Sequence, residues 1–256
     1  MTSSDRRTPA PLADQRALLF DLDGVLTPTA EVHMRAWSRL FTPYLEHHGV
    51  APYTEQDYFA YVDGKPRYDG VRSLLQARGI DVPEGTPDDD PTLDTVCGLG
   101  NRKNAEFTAE LQEHGVSPYP GSLRFLTAAI DAGYEVAVVS SSANAKQVLR
   151  TAGIIDRFDV IVDGAVARAD GLAGKPAPDT YLDAATRFGL TAAECVVVED
   201  ATSGVEAGRN GAFGLVIGVD RGAGADALRE HGADLVVTDL ADLLSDLSAA
   251  DSGKTA

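Results

Sequence analysis

Two acidic residues, two positions apart, follow a short apolar run near the start of the chain. In the stretch ALLFDLDGVL, residues 17–26, Asp21 and Asp23 come directly before Gly24. A buried strand that enters a glycine turn has this pattern, and in a strand residues i and i+2 face the same side. The two carboxylates can therefore bind a hard cation, or one can act as a nucleophile while the other transfers protons. A solvated acidic turn is the alternative.

Polar side chains also follow other apolar runs. Ser140, Ser142 and Asn144 follow one valine-rich run, Glu199 and Asp200 end another, and Lys175 lies in the segment GKPAPD. Considered singly, these residues fit a helix cap, a turn and a solvated lysine. Because ligands bind beyond the carboxyl ends of strands in open parallel sheets, their joint occurrence instead predicts one site at the sheet edge that also holds the first two acids.

Such a site suits phosphoryl transfer through an aspartyl phosphate. Asp21 is the expected nucleophile, because a carboxylate can attack phosphorus once the phosphoryl charge is neutralised. We expect Mg²⁺ as the cofactor, held by oxygens of Asp21, Asp200 and Glu199, with Asp23 as a further candidate ligand.

Three other side chains would handle the oxygens and the proton. Ser140 and nearby backbone N–H groups can cradle the phosphoryl oxygens, and Lys175 can place a positive charge on them. Asp23, if its side chain does not bind the metal, can protonate the leaving oxygen and later activate the acceptor hydroxyl. That role needs a carboxyl that holds a proton near neutral pH, which a desolvated site favours.

The elements that must position these residues alternate between strands and helices. Valine-rich runs at 134–140, 159–164, 194–200, 213–220 and 233–239 alternate with helical patterns near 122–132, 143–152, 178–188, 203–210 and 222–231. This order predicts right-handed βαβ crossovers and a parallel sheet covered on both faces. Together with the opening strand, it indicates an α/β fold with a doubly wound parallel sheet.

The segment after the opening strand is helical throughout. Helical patterns occur at 31–48, 54–61, 69–78 and 101–114, with an acidic loop at 83–91, and Pro43 is expected to kink or divide the first helix. We therefore predict an all-helical cap at residues 31–115, inserted into a core of residues 16–30 and 116–247. Residues 1–15 and 248–256 are expected to be a flexible arm and tail.

The composition limits the partners. Acidic residues outnumber Lys and Arg by 39 to 22, which gives a formal charge of -17. Such a surface repels nucleic acids and anionic lipids, so we expect neither as a partner, and we expect a monomer. The two cysteines, Cys97 and Cys195, have no metal-ligand spacing and fit a reducing cytoplasm. No run of 18 apolar residues occurs, and no export signal is expected.

Four segments together resemble the four motifs of the haloacid dehalogenase superfamily. They are DLDGVL, VVSSS, the lysine of GKPAPD and the acidic pair of VVVED, and they span nearly the whole predicted core. The resemblance implies the aspartyl-phosphate chemistry and a helical cap after the first motif. Having an acid at Asp23 indicates the phosphotransferase branch rather than the dehalogenases, which lack the acid/base aspartate.

Within that branch, DLDGVLTPTAEVHMRAW resembles the beta-phosphoglucomutase-like subfamily. The resemblance implies interconversion of beta-glucose 1-phosphate and glucose 6-phosphate. It also implies substrate-side roles for residues of the hinge, of the cap loop YVDGKPRYDG and of the segment after VVS: Thr29, His33, Gly64, Arg67, Ser142 and Asn144.

Two departures leave alternatives open. Asp63 stands where the subfamily usually has a lysine, for which Lys65 can substitute, and Pro28 replaces a residue that is commonly acidic or polar. A mutase must hold a bisphosphate and exclude water from the phosphoaspartate, so cations of the cap matter more to it than to a phosphatase. Because the cap lacks one of these cations, a phosphatase acting on a small sugar phosphate is the first alternative. A non-enzymatic phosphoacceptor is a distant one, because receiver domains are about half this length, accept phosphate after the third strand and lack a cap.

Overall fold

The computed structural model describes residues 12–251 and contains a six-stranded parallel sheet. The strands are β1 (Ala17–Phe20), β2 (Glu135–Val139), β3 (Val160–Val162), β4 (Cys195–Glu199), β5 (Leu215–Val219) and β6 (Leu235–Val237). Their order in the sheet is β3-β2-β1-β4-β5-β6. From β1 the chain adds β2 and β3 on one side and then β4, β5 and β6 on the other. The predicted doubly wound α/β fold is therefore confirmed.

The sheet is buried on both faces. In β1, Leu18 and Phe20 pack into one apolar cluster, and Ala17 and Leu19 pack into the cluster on the opposite face. This alternation follows from the two-residue period of a strand. Burial on both faces explains why the strands are continuous apolar runs.

Helices cover both faces of the sheet. The core helices are α5 (Pro120–Asp131), α6 (Ala145–Thr151), α7 (Gly164–Asp170), α8 (Asp179–Arg187), α9 (Thr202–Asn210), α10 (Ala225–His231) and α11 (Leu244–Asp251). Of these, α7 and α11 were not predicted from the sequence. Asp163 starts α7 by accepting hydrogen bonds from the backbone N–H groups of Ala165 and Val166 at 3.0 and 2.9 Å.

The segment between β1 and β2 is helical. It contains α1 (Thr29–His47), α2 (Glu55–Asp57), which continues as a π-helical turn (Tyr58–Val62), α3 (Arg67–Ala77) and α4 (Val96–His114). A separate apolar cluster joins these helices, with Trp37, Phe41 and Leu74 among its buried members. We keep the name cap for residues 31–115.

Pro43 does not divide α1, which excludes one of the two outcomes expected from the sequence. The helix runs through it from Thr29–His47. The buried residues Leu40, Phe41, Tyr44 and Leu45 lie on both sides of the proline. Packing of this face offsets the loss of one backbone donor.

Short helices occupy part of the predicted arm and part of the predicted tail. Residues 12–14 form a short 3-10 helix with Leu12 buried, and α11 continues into the predicted tail. The remainder of both segments lies outside the described residues. Within residues 12–251, no helix has the length and apolar character needed to cross a membrane.

Candidate active site

Three neighbouring strands place the main candidate residues at one edge of the sheet. Asp21 directly follows β1, and its backbone N–H donates to the Val198 carbonyl of β4 at 2.9 Å. Ser140 directly follows β2, and its N–H donates to the Val162 carbonyl of β3 at 3.0 Å. Because Glu199 ends β4, the central strands β2, β1 and β4 deliver three polar side chains side by side.

Lys175 links two of the acids. Its Nζ lies 2.5 Å from Asp21 Oδ1 and 2.5 Å from Glu199 Oε1, and it also donates to the Val139 carbonyl at 3.2 Å. All three charged side chains are buried. Burial alone would lower the pKa of Lys175, but the two carboxylates raise it well above its usual value. Lys175 therefore stays charged and balances part of the buried negative charge.

A group of three acids can hold a metal ion. Asp21, Glu199 and Asp200 each offer an oxygen within 4.8 Å of the others, and all three are buried. Burial and the neighbouring carboxylates of Asp63 and Glu199 raise the pKa of Asp200 well above its usual value. Oxygen donors in a pocket with excess negative charge fit a hard divalent cation.

A glycine makes room for this group. A Cβ on Gly24 would lie 1.7 Å from Asp200 Oδ2, and Gly24 has a φ of +83°. Both the close approach and the left-handed backbone therefore require glycine at this position. Gly24, which follows the two acids after β1, therefore leaves room for the Asp200 carboxylate that follows β4.

Asp23 lies outside the three-acid group and contacts side chains of the first turns of α1. Thr29 Oγ1 donates a hydrogen bond to Asp23 Oδ1, and His33 Nε2 lies 3.5 Å from the same oxygen. Burial would raise the pKa of Asp23, but His33 and the Thr29 hydroxyl together lower it. The expectation of a raised pKa for Asp23 is therefore wrong, because the carboxylate has polar partners from the start of the cap.

Lys103 of α4 is a buried cation that the sequence analysis did not single out. Its Nζ contacts His33 Nδ1 and lies 4.8 Å from the centre of the Trp37 ring and 5.1 Å from that of Phe107. Burial lowers the pKa of Lys103 to about 7. Burial and the charge of Lys103 also lower the pKa of His33. Asp23, His33 and Lys103 thus form a chain of polar contacts from core to cap.

One cavity between the sheet edge and the cap is lined by most of the predicted site residues. They are Asp21, Asp23, His33, Gly64, Lys65, Arg67, Ser142, Asn144, Glu199 and Asp200. Thr29, Ser140 and Lys175 are buried close to it. The Ser140 hydroxyl accepts a hydrogen bond from the Ser142 N–H at 3.1 Å.

The cap side of the cavity carries two basic side chains. Arg67 donates from Nη1 to Asn101 Oδ1 at 3.2 Å, and burial lowers its pKa. Lys65 donates to Ser73 Oγ at 3.1 Å, which draws its ammonium towards α3. On the core side, Asn144 Nδ2 donates across the cavity to Asn104 Oδ1 of α4 at 2.6 Å.

Asp63 adds a carboxyl to the cap side of the same cavity. Burial raises its pKa to about 7, and the nearby acids Glu199 and Asp23 act in the same direction. From the sequence, Asp63 is distinguished only as a departure from the subfamily. Its motif gives no sign that the side chain faces the core acids, since that depends on how the cap sits on the sheet.

Comparison with known proteins finds one matching family and several similar sequences. The haloacid dehalogenase-like hydrolase family matches residues 15–211. A Mycobacterium bovis protein named beta-phosphoglucomutase is 51% identical over 240 residues, which cover 90% of this chain and 91% of the relative. A Bacillus subtilis protein of the same name is 31% identical, covering 91% of this chain and 93% of the relative.

The fold recurs in a solved structure. The crystal structure of a Clostridium difficile beta-phosphoglucomutase superposes with a TM-score of 0.75 at 23% identity and covers 93% of this chain and 97% of that protein. This likeness concerns the fold, while the family match and the curated relatives concern the sequence. The family covers most of the chain and includes all four motif segments, and the chain belongs to the haloacid dehalogenase-like hydrolases.

Proposed function

We propose that the protein is a Mg²⁺-dependent beta-phosphoglucomutase that interconverts beta-glucose 1-phosphate and glucose 6-phosphate through an aspartyl phosphate. The observation that carries the proposal is the division of labour between Asp21 and Asp23. Asp21 lies in the three-acid group beside Lys175, whereas Asp23 is held by Thr29 and His33. The names of the relatives at 51% and 31% identity support the same activity.

In the proposed reaction Asp21 is the nucleophile. One of its oxygens forms a bond to phosphorus while the bond from phosphorus to the ester oxygen breaks, and the reverse step passes the phosphoryl group to a sugar hydroxyl. Lys175 stays charged next to Asp21, so it can neutralise oxygens of the phosphoryl group.

Asp21, Glu199 and Asp200 would hold the Mg²⁺ ion. When bound, the ion supplies positive charge that neutralises the phosphoryl oxygens. Burial among other acids raises the pKa of Asp200. A bound cation would offset the repulsion between these carboxylates.

Asp23 would move the proton. With its pKa lowered, Asp23 is ionised before substrate binds and does not itself hold a proton near neutral pH. It can accept a proton from the attacking sugar hydroxyl, and it would then carry that proton and give it to the leaving oxygen of the next transfer. Its contact with His33 supports a proton transfer at the junction of core and cap.

The second phosphate of a bisphosphate intermediate would lie between cap and core. Arg67 lines the cavity from the cap and Ser142 and Asn144 line it from the core, and Arg67 is a half-buried guanidinium whose pKa is lowered by burial. A buried cation of this kind gains from pairing with an anion. Gly64 and Lys65 belong to the same loop and would contact the sugar.

A sugar-phosphate phosphatase is the second candidate. The observation that favours it is Asp63, since a carboxyl faces the cavity where a mutase would use positive charge to hold a bisphosphate. In that case water, rather than a sugar hydroxyl, accepts the phosphoryl group.

We also propose that the protein acts as a monomer in a reducing cytoplasm. Light scattering after gel filtration would test the assembly state.

Product analysis distinguishes the two candidates. The protein is incubated with beta-glucose 1-phosphate, Mg²⁺ and a trace of glucose 1,6-bisphosphate, and both glucose 6-phosphate and inorganic phosphate are quantified. A mutase gives glucose 6-phosphate with little free phosphate. Release of inorganic phosphate as the main product would refute the mutase proposal.

A further inference from the structure

Two serine hydroxyls of the core donate hydrogen bonds to consecutive carbonyls of the cap loop. Ser141, next to the end of β2, donates from Oγ to the Gly64 carbonyl at 2.7 Å. Ser203, in the first turn of α9, donates from Oγ to the Asp63 carbonyl at 3.2 Å. The donors come from distant parts of the core, yet they bind adjacent peptide units of one loop.

The loop lies directly on the core at this point. Gly64 has a φ of +68°, and a Cβ there would be 2.3 Å from Ser203 Oγ and 3.0 Å from Ala201 Cβ. Any residue with a Cβ would therefore be strained at this φ and would collide with the Ser203 hydroxyl. Glycine permits the backbone approach, and the two serines supply the donors that this approach brings into range.

We propose that Ser141 and Ser203 are positioning residues that hold the cap loop, residues 61–70, in its closed place over the active site. The inference rests on the proposed function, because this loop carries Lys65 and Arg67 to the cavity that would hold the sugar phosphate. Neither hydroxyl reaches the reacting atoms in this arrangement, because each is directed at a loop carbonyl.

Neutral donors suit this task. The loop carries Asp63, Lys65 and Arg67 and faces a group of buried acids, so its electrostatic interaction with the core changes whenever a phosphate or a cation enters. A hydroxyl that donates to a backbone carbonyl carries no net charge, so its bond depends far less on the charge of the ligand than an ion pair does. The two serines can therefore hold the loop through every step of a reaction in which the site changes charge.

The expected effect follows from ordinary hydrogen-bond strengths. Loss of one such bond lowers the ratio of closed to open loop by about fivefold, and loss of both by about 25-fold. The Asn104–Asn144 contact at 2.6 Å remains in either variant, so the cap stays attached while the loop opens more often. Contacts made in both the bound complex and the transition state affect KM rather than kcat.

The first test measures opening of the loop without substrate. Amide hydrogen exchange is compared by mass spectrometry between the wild type, Ser141→Ala, Ser203→Ala and the double variant. Ser245→Ala is the control, because Ser245 is exposed and its hydroxyl contacts only the neighbouring Asp246 among the described contacts. We expect faster exchange in peptides covering residues 58–70, by about fivefold in the single variants and about 25-fold in the double variant. Unchanged exchange in the double variant would overturn the proposal.

The second test uses steady-state kinetics with beta-glucose 1-phosphate. We expect KM to rise in the double variant with kcat nearly retained, and Ser203→Thr, which keeps a hydroxyl donor, to restore part of the loss. A fall in kcat at unchanged KM would show that the two bonds act only in the transition state, and it would overturn the proposal. If the wild type turns over no sugar phosphate, the proposed function fails, whereas the exchange measurement still decides whether the two serines hold the loop.

Discussion

Replacing Lys103 with methionine should change how the free energy of unfolding depends on pH. Lys103 is buried between α4 and α1, and burial lowers its pKa from 10.5 to about 7. Asp23 raises this pKa and Arg67 lowers it, but burial is the largest cause. Methionine keeps the length of the apolar stem and removes the charge.

The direction of this pH dependence follows from the order of the folded and unfolded pKa values of Lys103. Because the folded pKa lies below the unfolded one, the unfolded chain holds a proton that the folded chain has lost between about pH 7 and pH 10.5. The cost of burying Lys103 is full below pH 7 and fades as the pH rises. The shift predicts that the wild type gains about 2 kcal/mol relative to the variant between about pH 7 and pH 9.

Urea denaturation of both proteins at a series of pH values, in the presence of EDTA, measures this difference. Subtracting the two stability curves removes the tyrosines and cysteines that titrate in the same range. Lys146→Met is the control, because Lys146 is substantially exposed and pairs only loosely with Asp163 at 3.8 Å, so its curve should run parallel to that of the wild type. A constant difference between the wild type and Lys103→Met would refute the assigned pKa.

Three further predictions concern the thiols, the metal site and the cap. Burial raises the pKa of Cys195 to about 12 and also raises that of Cys97. Neither thiol should therefore react with a thiol reagent near neutral pH until the chain unfolds. Fast labelling of the native protein would contradict this prediction. Gly24→Ala should weaken Mg²⁺ binding in calorimetry, because a Cβ would meet Asp200 at 1.7 Å, and unchanged affinity would argue against the assigned ligands. Arg78→Met should destabilise the protein by about 3 kcal/mol in urea, because it leaves the buried Asp57 carboxylate without its cationic partner, with only the Thr54 donors remaining. A loss below about 1 kcal/mol would contradict the prediction.

The sheet could be predicted from the sequence because its signals are local. Strands covered on both faces must be apolar throughout, so valine-rich runs mark them directly, and their regular alternation with helices indicates parallel pairing. The acids at the ends of β1 and β4 could be predicted to meet for the same reason. The short helix α7 follows its strand without a break, so its start at Asp163 is visible only as a capping residue.

The cap side of the site could not be predicted in the same way. Lys103 lies in a helix whose pattern allows a solvated lysine, yet it is buried against His33 and two aromatic rings. Ser203 and Asp63 are 140 positions apart, and no local pattern predicts their contact. These positions depend on how the cap sits on the core, which is a tertiary property. The pKa of Asp23 illustrates the same point, since its direction is decided by partners at the start of the cap.

The direct test of transfer through Asp21 is to locate the phosphoryl group on the chain. The protein is mixed rapidly with Mg²⁺ and sugar phosphate labelled at phosphorus, quenched in acid, digested and mapped by mass spectrometry. We expect the label on the peptide that contains Asp21, and we expect Asp21→Asn to lose both the label and turnover. Turnover that persists in Asp21→Asn, or a label that maps to another residue, would contradict the proposed mechanism.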